Sequence, residues 1–177
     1  QAQAQLFGAE RSLLTLLDRA AGAGLRVELV LPHCLNPAYL EQARARSHRV
    51  HLLPYGWRRN GFAPHPATLA AMVALIRASG AVEVHQNTIV LDAPLIAARQ
   101  AGVASVVHLR ELPAEDAGIC AALGIGPDDL RRALIAGADR FVANSTAVAD
   151  WIDPQREMPG RVLILPNRVD PALSALP

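Results

Sequence analysis

The sequence predicts an α/β domain, a parallel sheet flanked by helices. Short β-type runs alternate with helical patterns almost from end to end, which is the mark of parallel βαβ units. Hydrophobic residues make up 51% of the chain but aromatics only 4%, so the core is built of Ala, Leu and Val that suit close helix-on-sheet packing. A length of 177 residues is that of one ordinary domain, able to bury a core without disulfides or metals.

The first helix spans about Ala9 to Ala21, where Leu13, Leu14, Leu16 and Leu17 form an apolar stripe. Gly22 and Gly24 follow, and either supplies a left-handed stop. Strands are expected at Leu25–Leu31, Arg49–Leu53, Val82–His85, Ala104–Leu109, Arg140–Ala143 and Arg161–Leu165. The intervening helices fall at Ala38–Ala45, Pro66–Ser79, Ala93–Ala101, Pro127–Ile135 and Thr146–Ile152. Two irregular segments, Pro54–Pro66 and Leu112–Gly126, read as loops long enough to be functional.

A doubly wound sheet normally opens with a buried apolar strand. Here QAQAQLF precedes Gly8, and its glutamines would be costly to bury. Ala, Gln and Leu favour helix, so this tail is expected to extend the first helix or to stand apart from the domain, leaving the sheet without its usual first strand.

A formal charge of +1 gives no bulk electrostatic signal for nucleic acid, and none is expected as a partner. Cys34 and Cys120, far apart, read as thiols of a reducing, cytoplasmic compartment. No apolar run reaches membrane-spanning length and the N-terminus lacks signal-peptide character, so a soluble chain without a transmembrane segment is expected. No metal site is expected either: alternation along a strand sends His48 and His51 to opposite faces, and no cysteine or carboxylate cluster completes a ligand set. A Ser-His-Asp hydrolase is excluded by the lack of a Gly-x-Ser-x-Gly elbow.

Five short motifs stand in a distinctive order. Gly8-Ala9-Glu10-Arg11-Ser12-Leu13 opens the first helix, and Leu165-Pro166-Asn167-Arg168-Val169-Asp170 closes the chain. Between them, His85-Gln86-Asn87-Thr88, His108-Leu109-Arg110-Glu111 and Val142-Ala143-Asn144-Ser145 lie at or beyond strand ends. In this order the chain resembles the N-terminal half of glycosyltransferase family 4. The likeness covers nearly the whole chain. It departs from the family where Phe7 and the Gln-rich tail replace a glycine and an apolar strand, and where Arg168 replaces a glycine.

The resemblance implies a Rossmann-like sheet forming one half of a two-domain GT-B fold. Residues 1–170 would be the acceptor-side domain and 171–177 the start of a linker toward a C-terminal donor-binding domain. The function implied is retaining, metal-independent transfer of a hexosyl-type sugar in polysaccharide biosynthesis, from a nucleotide sugar to a saccharide or lipid-linked acceptor. No cofactor is implied beyond the nucleotide-sugar substrate, which would be held by the second domain, so the isolated chain is expected to be inactive. Peripheral membrane association is compatible with a lipid-linked acceptor.

Site residues follow from this reading. The helix opening at Gly8 and Ala9 offers free N–H groups and a positive dipole end, suited to the donor diphosphate; alone, it is also a plain helix start. His108 resembles the family's active-site histidine, which hydrogen-bonds the transferred sugar. Without the resemblance, a histidine between Val107 and Leu109 equally reads as a satisfied core residue. Arg110 and Glu111 would position acceptor hydroxyls or brace their loop, at the strand ends where open α/β sheets bind ligands. His85, Gln86, Asn87 and Thr88 suit acceptor recognition, with capping of the next helix as the structural alternative. Asn144 and Ser145 read as a helix cap. Tyr55-Gly56-Trp57-Arg58-Arg59-Asn60 reads either as a stacking and phosphate-gripping loop or as a solvated loop pinned by Trp57. Two other functional classes fit the same residues: a noncatalytic Rossmann-like interaction module, and a sugar-nucleotide epimerase using His85 and His108 as acid and base.

Overall fold

A computed structural model describes residues 8–33 and 36–166. The elements run α1 (Gly8–Gly22), β1 (Glu28–Leu31), α2 (Pro37–Arg46), β2 (Arg49–Leu52), α3 (Pro66–Ser79), β3 (Glu83–Gln86) and α4 (Ala93–Ala101). They continue with β4 (Ala104–Leu109), α5 (Ala117–Leu123), α6 (Pro127–Gly137), β5 (Arg140–Ala143), α7 (Thr146–Ile152) and β6 (Val162–Ile164).

All strand pairs are parallel, in two groups: β1 with β2, and β3-β4-β5-β6 in chain order. Among the described residues no strand joins β1 to β3. The expectation for the Gln-rich tail falls on residues 1–7, outside the described residues, as do those for Cys34, Asn167, Arg168 and the linker. Hydrogen bonds run between their sides instead: Arg26, before β1, donates to the Ser79 carbonyl before β3, and the Arg58 amide, after β2, to the Val90 carbonyl after β3.

Each layer follows from local chemistry. Leu13, Leu14 and Leu17 bring one face of α1 onto Leu29, Leu31 and α2. The αL conformation that ends α3 and α4 falls on Gly80 and Gly102, where only glycine turns without steric cost. The main core lies on one face of the larger sheet, where Val107, Leu109, Phe141 and Ala143 meet Leu130 and Leu134 of α6 and Val148 and Ile152 of α7.

The segment 112–126 is not a continuous loop. It contains α5, whose N-cap Asp116 accepts a hydrogen bond from the Ile119 amide and whose end is turned by αL Gly124. Flanking Pro113 and Gly124, with Gly118 inside it, concealed a helix this short in the sequence. The loop after β2 is held by its backbone, through the Arg58 amide and the Asn60 amide to the Leu123 carbonyl, while Trp57 is 40% exposed and is not the pin.

Candidate active site

The alternating pleat of β4 decides which side chains form the core and which form the site. Val107 and Leu109 enter the core, so His108 is turned to the opposite face, beneath α1. There it lines a cleft with Ser12, Thr15 and Arg19 of α1, with Val142 of β5 and with Asn144 just after it. His108 is only 5% exposed, yet it is not part of the hydrophobic core.

His85, near the end of β3, meets His108 through Nδ1 and Nε2 at 3.0 Å, with ring centroids 5.3 Å apart. The other ring nitrogen of His85 lies 2.6 Å from Glu83 Oε2, and Arg140 of β5 holds the second oxygen of that carboxylate. Burial pushes the His108 imidazole down to about 3, helped by His85 and by the Arg110 charge, and burial also lowers His85. Burial thus favours the neutral form of both rings.

The two loops that extend from β3 and β4 are bonded side chain to side chain. Asn87 Oδ1 accepts from Nε and Nη2 of Arg110 at 2.9 and 2.7 Å, and Thr88 Oγ1 donates to Glu111 Oε1 at 2.8 Å. Arg110 also reaches Ser12 Oγ at 2.5 Å, and Asn87 Nδ2 donates to the Ala9 carbonyl at 3.1 Å, so the start of α1 is fastened to the rim. Burial raises the Glu111 carboxyl above its ordinary value, opposed by the Thr88 hydroxyl and by backbone amides. Burial lowers Arg110, opposed by Glu111.

Among the residues read from the sequence, His85 and His108 touch each other, Arg110 lines the cleft with His108, and Asn87 and Thr88 are buried behind it, bonded to Arg110 and Glu111. Gln86 is turned inward, 1% exposed, and its amide nitrogen serves the carbonyls of Thr88 and Leu91. Capping of α4 falls to neither Asn87 nor Thr88, since the N-cap position is Asp92. Ser145 caps α7 by accepting from the Val148 amide, while Asn144 donates to the Arg110 carbonyl at 3.1 Å and keeps its buried Oδ1 without a partner beside the cleft. Gly8 is the first residue of α1 and is exposed; a side chain there would meet no protein atom, so the described residues do not themselves require glycine. Ala9 follows it, half-buried, as the carbonyl partner of Asn87.

Glu83, Arg140 and Ser12 were not legible as site residues. Glu83 and His85 lie two apart on a strand and so share a face, which was the one available signal. Nothing in the order of residues ties Arg140 or Ser12 to them. Among the described residues no cluster of His, Cys, Asp and Glu could hold a metal ion, and no helix is long and apolar enough to cross a membrane.

A family model described as the glycosyl transferase 4-like domain matches residues 7–168. The chain belongs to this family. No curated protein sequence matches it. Solved structures of the same fold include HepE of Anabaena in complex with UDP and glucose, with a TM-score of 0.69 at 16% identity, covering 98% of this chain and 44% of that one. HepE in complex with UDP-glucose gives 0.68 at 19% identity, with coverage of 98% and 44%. MurG of Acinetobacter baumannii gives 0.56 at 12% identity, with coverage of 96% and 45%. This glycosyl transferase 4-like domain thus has the fold of one half of a GT-B glycosyltransferase, and the chain spans less than half the length of these structures.

Proposed function

We propose that the chain is the acceptor-side domain of a retaining, hexosyl-type glycosyltransferase. The full protein moves a sugar from a nucleotide-sugar donor to a saccharide or lipid-linked acceptor in polysaccharide biosynthesis, in the cytoplasm, with no metal or cofactor besides the donor. The reading rests above all on the cleft that joins a neutral, buried His108 to the start of a family 4-like first helix through Arg110 and Ser12. HepE, of the same fold, is known in complex with UDP-glucose, which favours a nucleotide sugar as donor.

In such a transfer, negative charge grows on the leaving diphosphate while the sugar takes on oxocarbenium character. The start of α1, at Gly8 and Ala9, turns the positive end of the helix dipole toward that charge. His108 hydrogen-bonds the transferred sugar and is the catalytic residue. His85, Asn87, Thr88, Arg110 and Glu111 shape and contact the acceptor side of the cleft, and Gln86 supports it by stiffening the loop from within. The donor's nucleotide is held by the other half of the fold, so residues 1–177 alone bind nucleotide sugars negligibly and are inactive.

The test is release of nucleoside diphosphate by the full-length protein, given nucleotide sugars with saccharide and lipid-linked acceptors. Release that falls about 100-fold or more in His108→Ala supports the reading. Equal release by His108→Ala removes His108 from the mechanism, and tight calorimetric binding of a nucleotide sugar by residues 1–177 alone overturns the division between the halves. No release across a broad donor panel favours the noncatalytic interaction module.

A further inference from the structure

The line Arg140–Glu83–His85–His108 runs across the sheet face into the cleft, each contact being a hydrogen bond or ion pair. We infer that Glu83 is a positioning residue which, through His85, fixes the proton of His108 on Nε2 and leaves His108 Nδ1 as a hydrogen-bond acceptor toward the cleft. The inference deepens the transferase reading and rests on it for the identity of the ligand, whose hydroxyl donates to Nδ1.

The direction follows from counting protons. A carboxylate only accepts, and the second oxygen of Glu83 is taken by Arg140. His85 must therefore carry its proton on Nε2, the atom 2.6 Å from Glu83. A neutral imidazole has one donor and one acceptor, so His85 Nδ1 is a lone pair. At 3.0 Å from that lone pair, His108 Nε2 must be the donor, and His108 Nδ1 is the acceptor left over. Among the described residues His108 bonds through Nε2, and its ring lines the cleft. With Glu83 removed, His85 is free to exchange tautomers, and His108 loses the instruction that makes it an acceptor.

This polarity has a chemical consequence. A histidine that accepts selects a ligand group able to donate, such as a sugar hydroxyl, and disfavours a carbonyl or ether oxygen at the same position. It also orients that hydroxyl's proton toward the protein, which leaves the hydroxyl oxygen free to accept from a neighbouring group.

The imidazole nitrogen resonances of the full-length protein, labelled with 15N-histidine and assigned through His108→Asn, test the relay at neutral pH. His108 is expected as the Nε2-protonated tautomer, shifting to a mixture with a substantial Nδ1-protonated fraction in Glu83→Ala. His85→Phe, which removes the receiving lone pair, gives the same redistribution as Glu83→Ala and covers the case in which that variant does not fold. An Nδ1-protonated or doubly protonated His108 in the unmodified protein overturns the inference. So does an unchanged His108 tautomer in either Glu83→Ala or His85→Phe. The spectrum requires no turnover, so inactivity of the enzyme would sink the transferase reading while leaving the tautomer result standing.

Discussion

Arg110 grips one atom of Asn87, its side-chain oxygen, with both Nε and Nη2, at 2.9 and 2.7 Å. The same guanidinium reaches Ser12 and the same amide reaches the Ala9 carbonyl, so one pair of side chains clamps the start of α1 against the ends of β3 and β4. The geometry needs a planar fork, which lysine does not have.

Arg110→Ala is expected to destabilise the domain by about 2 kcal/mol, the scale of hydrogen bonds to a charged group, and Asn87→Ala by a similar amount. Because the two share their bonds, the double variant costs less than the sum. Arg110→Lys recovers only part of the loss. Denaturant unfolding across this double-mutant cycle is the measurement, and strict additivity would show that the clamp does not act as a unit.

His108 supplies a pH dependence with a definite sign. Its folded value, about 3, lies below the unfolded imidazole value, so the stability it contributes is fully present above about pH 6.5 and is lost as pH falls toward 3. The loss approaches about 1.4 kcal/mol per pH unit for one proton within that window. His108→Gln should flatten the stability curve between pH 6 and 4, measured by urea midpoints; an equally steep fall in the variant would assign the acid sensitivity elsewhere.

Glu111 works in the opposite sense. Its folded value is raised, so its contribution is fully present below the unfolded carboxyl value and declines as pH rises through the folded one. The stability advantage of the native chain over Glu111→Gln should therefore shrink from pH 4 to pH 8. Thr88→Val removes the hydroxyl that favours the carboxylate and should move Glu111's titration further upward, read by carboxyl NMR shifts.

The strands and most helices were legible because they depend on short-range pattern. α3, α4, β4, β5 and α7 fall on the residues where apolar periodicity, Pro at the helix start and Gly at the helix end place them. β1 begins at Glu28 rather than Leu25, since pairing with β2 starts at Glu28 opposite Arg49. α5 was hidden because its cap, Asp116, and its stop, Gly124, resemble loop composition. In the site, strand alternation made it foreseeable that His108 leaves the core face; the inward turn of Gln86 follows the same alternation once β3 extends to Gln86, one residue past the expected strand end, which pairs it with Val107.

By itself the sequence determined the α/β class, the positions of the strands and the family to which the domain belongs, all of which are encoded in local periodicity and in short motifs read in order. Only the tertiary structure decided that Glu83 stands behind His85, that His85 meets His108, and that Arg110 ties Asn87 to α1. These contacts join residues as far apart as Ser12 and Arg110, and hydrogen bonding depends on distance and angle in space, which packing the strands side by side sets and residue order does not.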